Sequence, residues 1–176
     1  MQYFKTLFAA ASTYHDFTAQ AEEKDIEALK QCEKLAKAIR NEGELARLPT
    51  LQTACNILVV AEMWCPDCHK NLPAIRRVTQ LAPHVGLGIV TREQAGEAFM
   101  AHFKLEKISI PFAVVLDADF TPLGQFIERP KSAWDEEGKV KESYRNAELL
   151  ADTAQEIAAI LYRAKTLPAR CDLDNG

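Results

Sequence analysis

The chain has 176 residues, 48% hydrophobic and 26% charged, with seven Gly and eight Pro, a composition that excludes disordered, collagen-like and low-complexity classes. A formal charge of −4 argues against partners that require a basic face, so neither nucleic acid nor an anionic membrane is expected. Five cysteines are too few, and odd in number, for a secreted disulfide scaffold, and a chain this long can bury a core without such staples.

No apolar run approaches the ~18 residues of a membrane span. The stretch from Thr6 to Ala11 follows Lys5 as an export signal would, but it is too short for one and runs straight into helix-like sequence. A cytoplasmic location is expected.

The first third reads as helix. Phe4, Leu7, Phe8, Ala11 and Tyr14 recur at helical spacing, as do Ile26, Leu29, Cys32, Leu35, Ala36 and Ile39, with charged residues between the second set. Asn41-Glu42-Gly43 closes the helix, and Leu48-Pro49-Thr50 adds a second break. The run from Asn56 to Trp64 changes period: nearly continuous apolar residues, β-branched at the centre, fit a strand buried on both faces. Residues 66–82 read as helix, Val85 to Thr91 as strand and Arg92 to Phe103 as helix. Ile110 to Leu116 and Gly124 to Ile127 read as two strands joined by a turn. The charged stretch from Lys131 to Lys141, between Trp134 and Tyr144, reads as a loop. The last helix carries Leu150, Ala154, Ile157, Leu161 and Ala164, and the tail after Pro168 is polar and frayed. The expected organisation is a helical N-terminal extension over 1–50, an α/β domain over 51–168 and a polar tail over 169–176. Strands alternating with helices, then a hairpin and a closing helix, imply a mixed sheet covered on both faces. The Val59-Val60 strand should be central, with the site at its carboxyl end.

Trp64-Cys65-Pro66-Asp67-Cys68 occupies that end. Cysteines three apart on a first helical turn have the Cα separation of about 5.5 Å that a disulfide needs. Pro66 suits the first helical position, which puts Cys65 at the N-cap, its sulfur facing unpaired N–H groups and the positive end of the helix dipole. That environment favours thiolate, so Cys65 should attack and Cys68, deeper in the helix, should resolve. Asp67, between the thiols, should oppose the Cys65 thiolate. Pro73 should kink the helix, and Pro111 opens a strand where a trans proline has no obvious use, so Ile110-Pro111 is read as cis.

These features together resemble the thioredoxin superfamily over about residues 55–165. The nearest likeness is a bacterial thioredoxin-like group with W-C-P-D-C, then N-L-P (Asn71-Leu72-Pro73), I-P before V-L-D, R-P after the hairpin (Arg129-Pro130), and a helical N-terminal extension. The resemblance implies a thioredoxin fold and a dithiol–disulfide oxidoreductase that needs no cofactor. Cys65 would be the nucleophile, Cys68 the resolving thiol and Pro111 the cis-proline. Trp64, Pro66, Ile110 and Pro111 would meet the substrate, Ile110 offering its backbone to an extended segment. Asp67, His69 and Glu62 would tune the pair. Partners would be protein disulfide substrates and a recycling dithiol reductase, and a cytoplasmic setting favours the reductive direction. Thioredoxins carry a buried Asp six residues before the first cysteine; Val59 stands there, and neither Glu62 nor Asp67 is an assured replacement.

Rival classes use the same letters. Cys65 to His69 also spell C-x-x-C-H, the c-type haem attachment motif, although a core strand in front does not suit it. His69 is more simply a partly exposed helix residue. A metal- or iron–sulfur-binding module would need four ligands, and there is no second C-x-x-C, so such a site would have to be shared across a dimer. A non-catalytic interaction protein is the third class. Cys32 and Cys55 read as small core residues, and Cys171 as a free thiol in the tail. His15, His84 and His102 lack partners in sequence. Residues 1–50 read as extra core, as a homodimer face, or as a wall that narrows substrate choice.

Overall fold

The computed structural model describes residues 2–166, with side chains to Arg163, so the tail over 169–176, Cys171 and the Ala164 side chain lie outside the described residues. Four strands form one mixed sheet in the order β2-β1-β3-β4. Strand β1 (Cys55–Val60) pairs parallel with β2 (Val85–Val90) and antiparallel with β3 (Phe112–Asp117), which pairs antiparallel with β4 (Pro122–Ile127). Val59 thus lies between Ile89 and Ala113, fully buried, on the central strand the apolar run predicts. The strand is shorter than that run: it stops at Val60, and Ala61 to Trp64 turn away to deliver the cysteine motif.

Side-chain alternation divides the helices between two faces. Phe112 meets Phe99 of α5 (Arg92–Phe103), ring centroids 5.1 Å apart, while Gly124 faces Ile160 of α7 (Leu150–Thr166) on the other side. With α7 pack α4 (Pro66–Leu81), which carries the cysteines, and α3 (Glu23–Lys37). Helix α4 continues across Pro73, whose missing N–H leaves the His69 carbonyl without a helical donor. Helix α5 begins with a capping box, Thr91 accepting from the Gln94 N–H and Gln94 from the Thr91 N–H.

The predicted single helix through Phe4 to Tyr14 is two helices, α1 (Gln2–Ala9) and α2 (Tyr14–Thr18). Ser12 between them exchanges both backbone hydrogen bonds with Ile89, at 2.9 and 3.0 Å, and Thr13 caps α2 through the Asp16 N–H. The edge of β2 thereby gains a partner for the Ile89 N–H and carbonyl, groups that an uncovered edge would leave unpaired. Residues 1–50 contribute Phe4, Leu7, Phe17, Leu29, Leu45 and Leu48 to the same buried cluster as the sheet, as extra core would.

Close packing here depends on Gly88. A Cβ at that position would stand 2.8 Å from the Ala11 Cβ and 3.0 Å from the Phe8 ring. The Ala11 Cβ cannot move without its backbone, so Gly88→Ala is expected to cost about 1–3 kcal/mol in urea unfolding. An unchanged midpoint would show that the 8–12 segment is only loosely held.

The expected loop over Lys131 to Lys141 is more ordered than its composition implies. It contains a 3-10 turn (Lys131–Ala133), a Trp134–Val140 bridge and, just beyond, α6 (Glu142–Arg145), with Tyr144 buried. Among the described residues no helix is long and apolar enough to cross a membrane.

Candidate active site

The turn after β1 is closed by the Cys65 N–H on the Glu62 carbonyl at 3.2 Å. Cys65 is the N-cap of α4 in extended conformation, and Pro66 holds the first helical position, where its missing N–H is no loss. Both thiols are free. Cys68 is fully buried and Cys65 retains 6% exposure, so the attacking sulfur lies almost flush with the surface instead of standing clear of it. Trp64 beside it is 56% exposed and Pro66 is exposed too, forming a rim.

The two sulfurs differ sharply in proton affinity. A hydrogen bond from the Cys68 thiol favours the Cys65 thiolate, and burial works against it. The backbone N–H groups of Cys68 and Asp67 add to the first effect, although none closes a full-length cap bond, and the Asp67 charge subtracts. The balance brings Cys65 down to about 7. Cys68 is pushed far up, chiefly by burial and then by Cys65 itself. Burial also raises Cys32, and raises Cys55 to about 11. Among the described cysteines only Cys65 is activated.

The Ile110-Pro111 bond is cis, and the Ile110 carbonyl oxygen lies 3.8 Å from the Cys65 sulfur. Ile110 and Pro111 are buried, and Ile110 meets the site through its backbone carbonyl. Arg92 braces this turn, donating to the Ile108 carbonyl at 3.0 Å while its guanidinium stands 5.7 Å from the Trp64 ring centre. On the other side the Glu128 N–H donates to the Pro111 carbonyl at 2.8 Å. Of the expected substrate-facing residues, Trp64 and Pro66 flank Cys65 in the chain, the Ile110 carbonyl stands beside its sulfur, and Pro111 follows Ile110 across the cis bond.

The three expected tuning residues are placed differently. Glu62 turns its carboxylate to the start of α5, accepting the Arg92 N–H at 3.0 Å, and it is the Glu62 main chain that hydrogen-bonds Cys68. His69 is not partly exposed: it is buried, its Nε2 on the Met63 carbonyl and 3.8 Å from Asp25 of α3. A ring so enclosed is also poorly placed for the axial role that a C-x-x-C-H reading would give it. Asp67 is held by Arg129 and Tyr144, at 3.0–3.2 Å and 2.7 Å. Buried Asn71 and Thr153 complete this polar cluster.

Sequence reasoning assigned no role to Arg129, Tyr144, Asn71 or Thr153. Asn71 and Arg129 stand in the short motifs behind the resemblance, which was the available signal; Tyr144 and Thr153 left none. Among the described residues no three His, Cys, Asp or Glu side chains converge as a metal-binding group. The His102 ring packs edge-on to Phe4 and Phe103, a structural role.

A thioredoxin family model matches residues 11–144. Among solved structures the chain is similar to a protein of unknown function from Pseudomonas aeruginosa, 27% identical with a TM-score of 0.79, over 90% of this chain and 96% of that one. It is also similar to an HIV epitope-scaffold protein, 26% identical with a TM-score of 0.81, over 89% of this chain and 96% of that one. No curated protein matches it.

Proposed function

The chain belongs to the thioredoxin family, and from that premise we propose that it is a dithiol–disulfide oxidoreductase acting on protein disulfides, in the reducing direction. The observation that carries the reading is the Cys65 sulfur itself: activated by the buried Cys68 thiol and set 3.8 Å from the Ile110 carbonyl beside the cis-proline.

The Cys65 thiolate attacks one sulfur of a substrate disulfide. That S–S bond breaks, a Cys65–substrate disulfide forms, and the departing substrate thiolate takes a proton. Cys68 then loses its proton and attacks the Cys65 sulfur, forming the internal disulfide and releasing the second substrate thiol. The substrate gains two electrons and two protons; the protein loses the two electrons and the Cys68 proton, and water supplies the other proton. A second dithiol protein, of the recycling-reductase class, must return the pair to its reduced state. With Val59 where the family has an acid, the Cys68 proton goes to the leaving substrate thiolate or to water.

Blocking the second step is the direct test. Cys68→Ser leaves the attacking thiol in place and should trap substrates as mixed disulfides that run as higher bands on non-reducing gels and collapse with dithiothreitol. A variant that traps nothing from a reducible substrate such as insulin would sink the reading.

The pH dependence has a definite sign. Because Cys65 lies below the ordinary thiol, its thiolate persists above about pH 7 and is lost as pH falls through that value. Iodoacetamide alkylation of the reduced protein should therefore inflect near pH 7. In Cys68→Ala the inflection should move up towards the ordinary thiol range, since the hydrogen bond from Cys68 is the largest favourable influence. An inflection unmoved by that change would assign the activation elsewhere.

A further inference from the structure

The residue between the cysteines is clamped. Asp67 Oδ1 accepts from the Tyr144 hydroxyl at 2.7 Å and from Arg129 Nε at 3.2 Å, and Oδ2 accepts from Arg129 Nη2 at 3.0 Å. This is the two-pronged fit of guanidinium to carboxylate that a lysine cannot copy. The guanidinium is itself seated between rings, 5.1 Å from the Trp134 centre and 5.8 Å from that of Tyr144.

The clamp has an anchor. Asn71, fully buried one turn along α4, places its amide 2.9 Å from the Tyr144 hydroxyl, the Asp67 carbonyl and the Glu128 carbonyl, and accepts from Thr153 Oγ1 of α7 at 2.7 Å. Glu128 in turn holds the Pro111 carbonyl. One polar cluster thus ties the C-x-x-C helix, α7, the segment after β4 and the cis-proline turn together.

We infer that Arg129 and Tyr144 are positioning residues of the redox centre, fixing the Asp67 carboxylate and offsetting its charge so that it opposes the Cys65 thiolate less than a bare carboxylate would. The inference rests on the reading of Cys65 as the attacking thiol and adds what makes an acid tolerable between the cysteines. A nearby like charge disfavours an anion, whereas an opposite charge within about 4–6 Å of a carboxylate favours its ionised form by one to three pKa units. The groups facing Asp67 are Arg129 and Tyr144 from the segment after β4 and Cys65 and Cys68 of its own helix. Around them stand Glu128, which shares the Arg129 guanidinium at 3.0 Å, and Lys70, 5.6 Å from the Tyr144 ring centre. Glu128 adds a second carboxylate on the same guanidinium, so loss of Arg129 would leave both acids uncompensated.

The test is a double-mutant cycle read on the Cys65 alkylation inflection and on the potential of the pair against glutathione. Arg129→Gln should raise the inflection by about one unit, a tenfold fall in thiolate at lower pH, and shift the potential negative because the reduced form is less favoured. Tyr144→Phe should shift both in the same direction by less. Asp67→Asn should shift both the opposite way, and in that background Arg129→Gln should have less than about a third of its effect on the wild type. An undiminished effect would mean that Arg129 acts on the sulfur directly, and no shift in either background would mean that the cluster is merely structural. Either result overturns the inference. Should Arg129→Gln fail to fold, Arg129→Lys serves instead: it keeps the charge, loses the fork, and should give a smaller shift of the same sign that also fades in Asp67→Asn. Failure of the underlying reading would look different, as a wild-type protein with no inflection near pH 7 and no reduction of insulin.

Discussion

Replacing Cys65 by serine is expected to bring insulin-disulfide reduction down to the uncatalysed rate, while Cys32→Ala and Cys55→Ala remain active. The contrast follows from where the sulfurs sit. With Cys65 at about 7, roughly half of it is thiolate at neutral pH, against a few per cent for an ordinary cysteine. That gain of about fifteenfold is partly cancelled, because a less basic thiolate is a weaker nucleophile by about fivefold over the same interval. Activation therefore contributes only about threefold. Most of the expected loss comes from removing the one sulfur that combines a partner thiol behind it with the Ile110 carbonyl and the exposed Trp64 beside it. Cys32 and Cys55 have none of this; burial raises both, and both point into the core. If Cys65→Ser kept its activity, the nucleophile would have to be sought elsewhere and the proposed cycle would fall.

The parts of this site that were legible in sequence are those set by neighbours in the chain. A buried strand feeding Cys65 at an N-cap, Pro66 at the first helical position and Cys68 on the same turn all follow from spacing of a few residues. The cis bond at Pro111 was legible because a proline opening a buried strand has few uses. The clamp on Asp67 was not, because Arg129 and Tyr144 reach it from 62 and 77 residues away. Asp67 in sequence is a bare charge next to a thiolate; in the fold it is one half of an ion pair. His69 shows the same limit, since its burial depends on packing against Asp25 from α3 and on the Met63 carbonyl.

Element types were easier than element ends. Apolar spacing from Phe4 to Tyr14 fits a single helix, and the break at Ser12 comes from the exposed edge of β2, far along the chain. A local signal existed there: Thr13 three residues before Asp16 is an N-cap pattern, and Thr13 does cap the second helix. The stretch after β4 looked like a loop from its charges. Tyr144 and Ala133 instead turn inward, and that segment carries the clamp.

Phe4→Ala is expected to destabilise the protein by about 3–5 kcal/mol, a large share of what a domain of this size possesses. Phe4 has no exposed surface, and its ring packs against His102 at 4.9 Å and Phe103 at 6.0 Å, both at the end of α5. Phe103 packs in turn, tilted, against Phe99 and Phe112, so the first helix stands one ring away from β3, the strand that follows the cis-proline. If residues 1–50 were an appendage on a separately stable domain, emptying this position would fray α1 and leave the main unfolding transition where it was. A shared core demands the other result: one cooperative transition, shifted to lower urea with an unchanged slope, because the cavity opens inside the unit that is melting. Two transitions, with the second at the wild-type midpoint, would assign the extension a separate stability and return it to the role of an added dimer face or wall. A single shifted transition makes the extension part of the scaffold on which Cys65 is held.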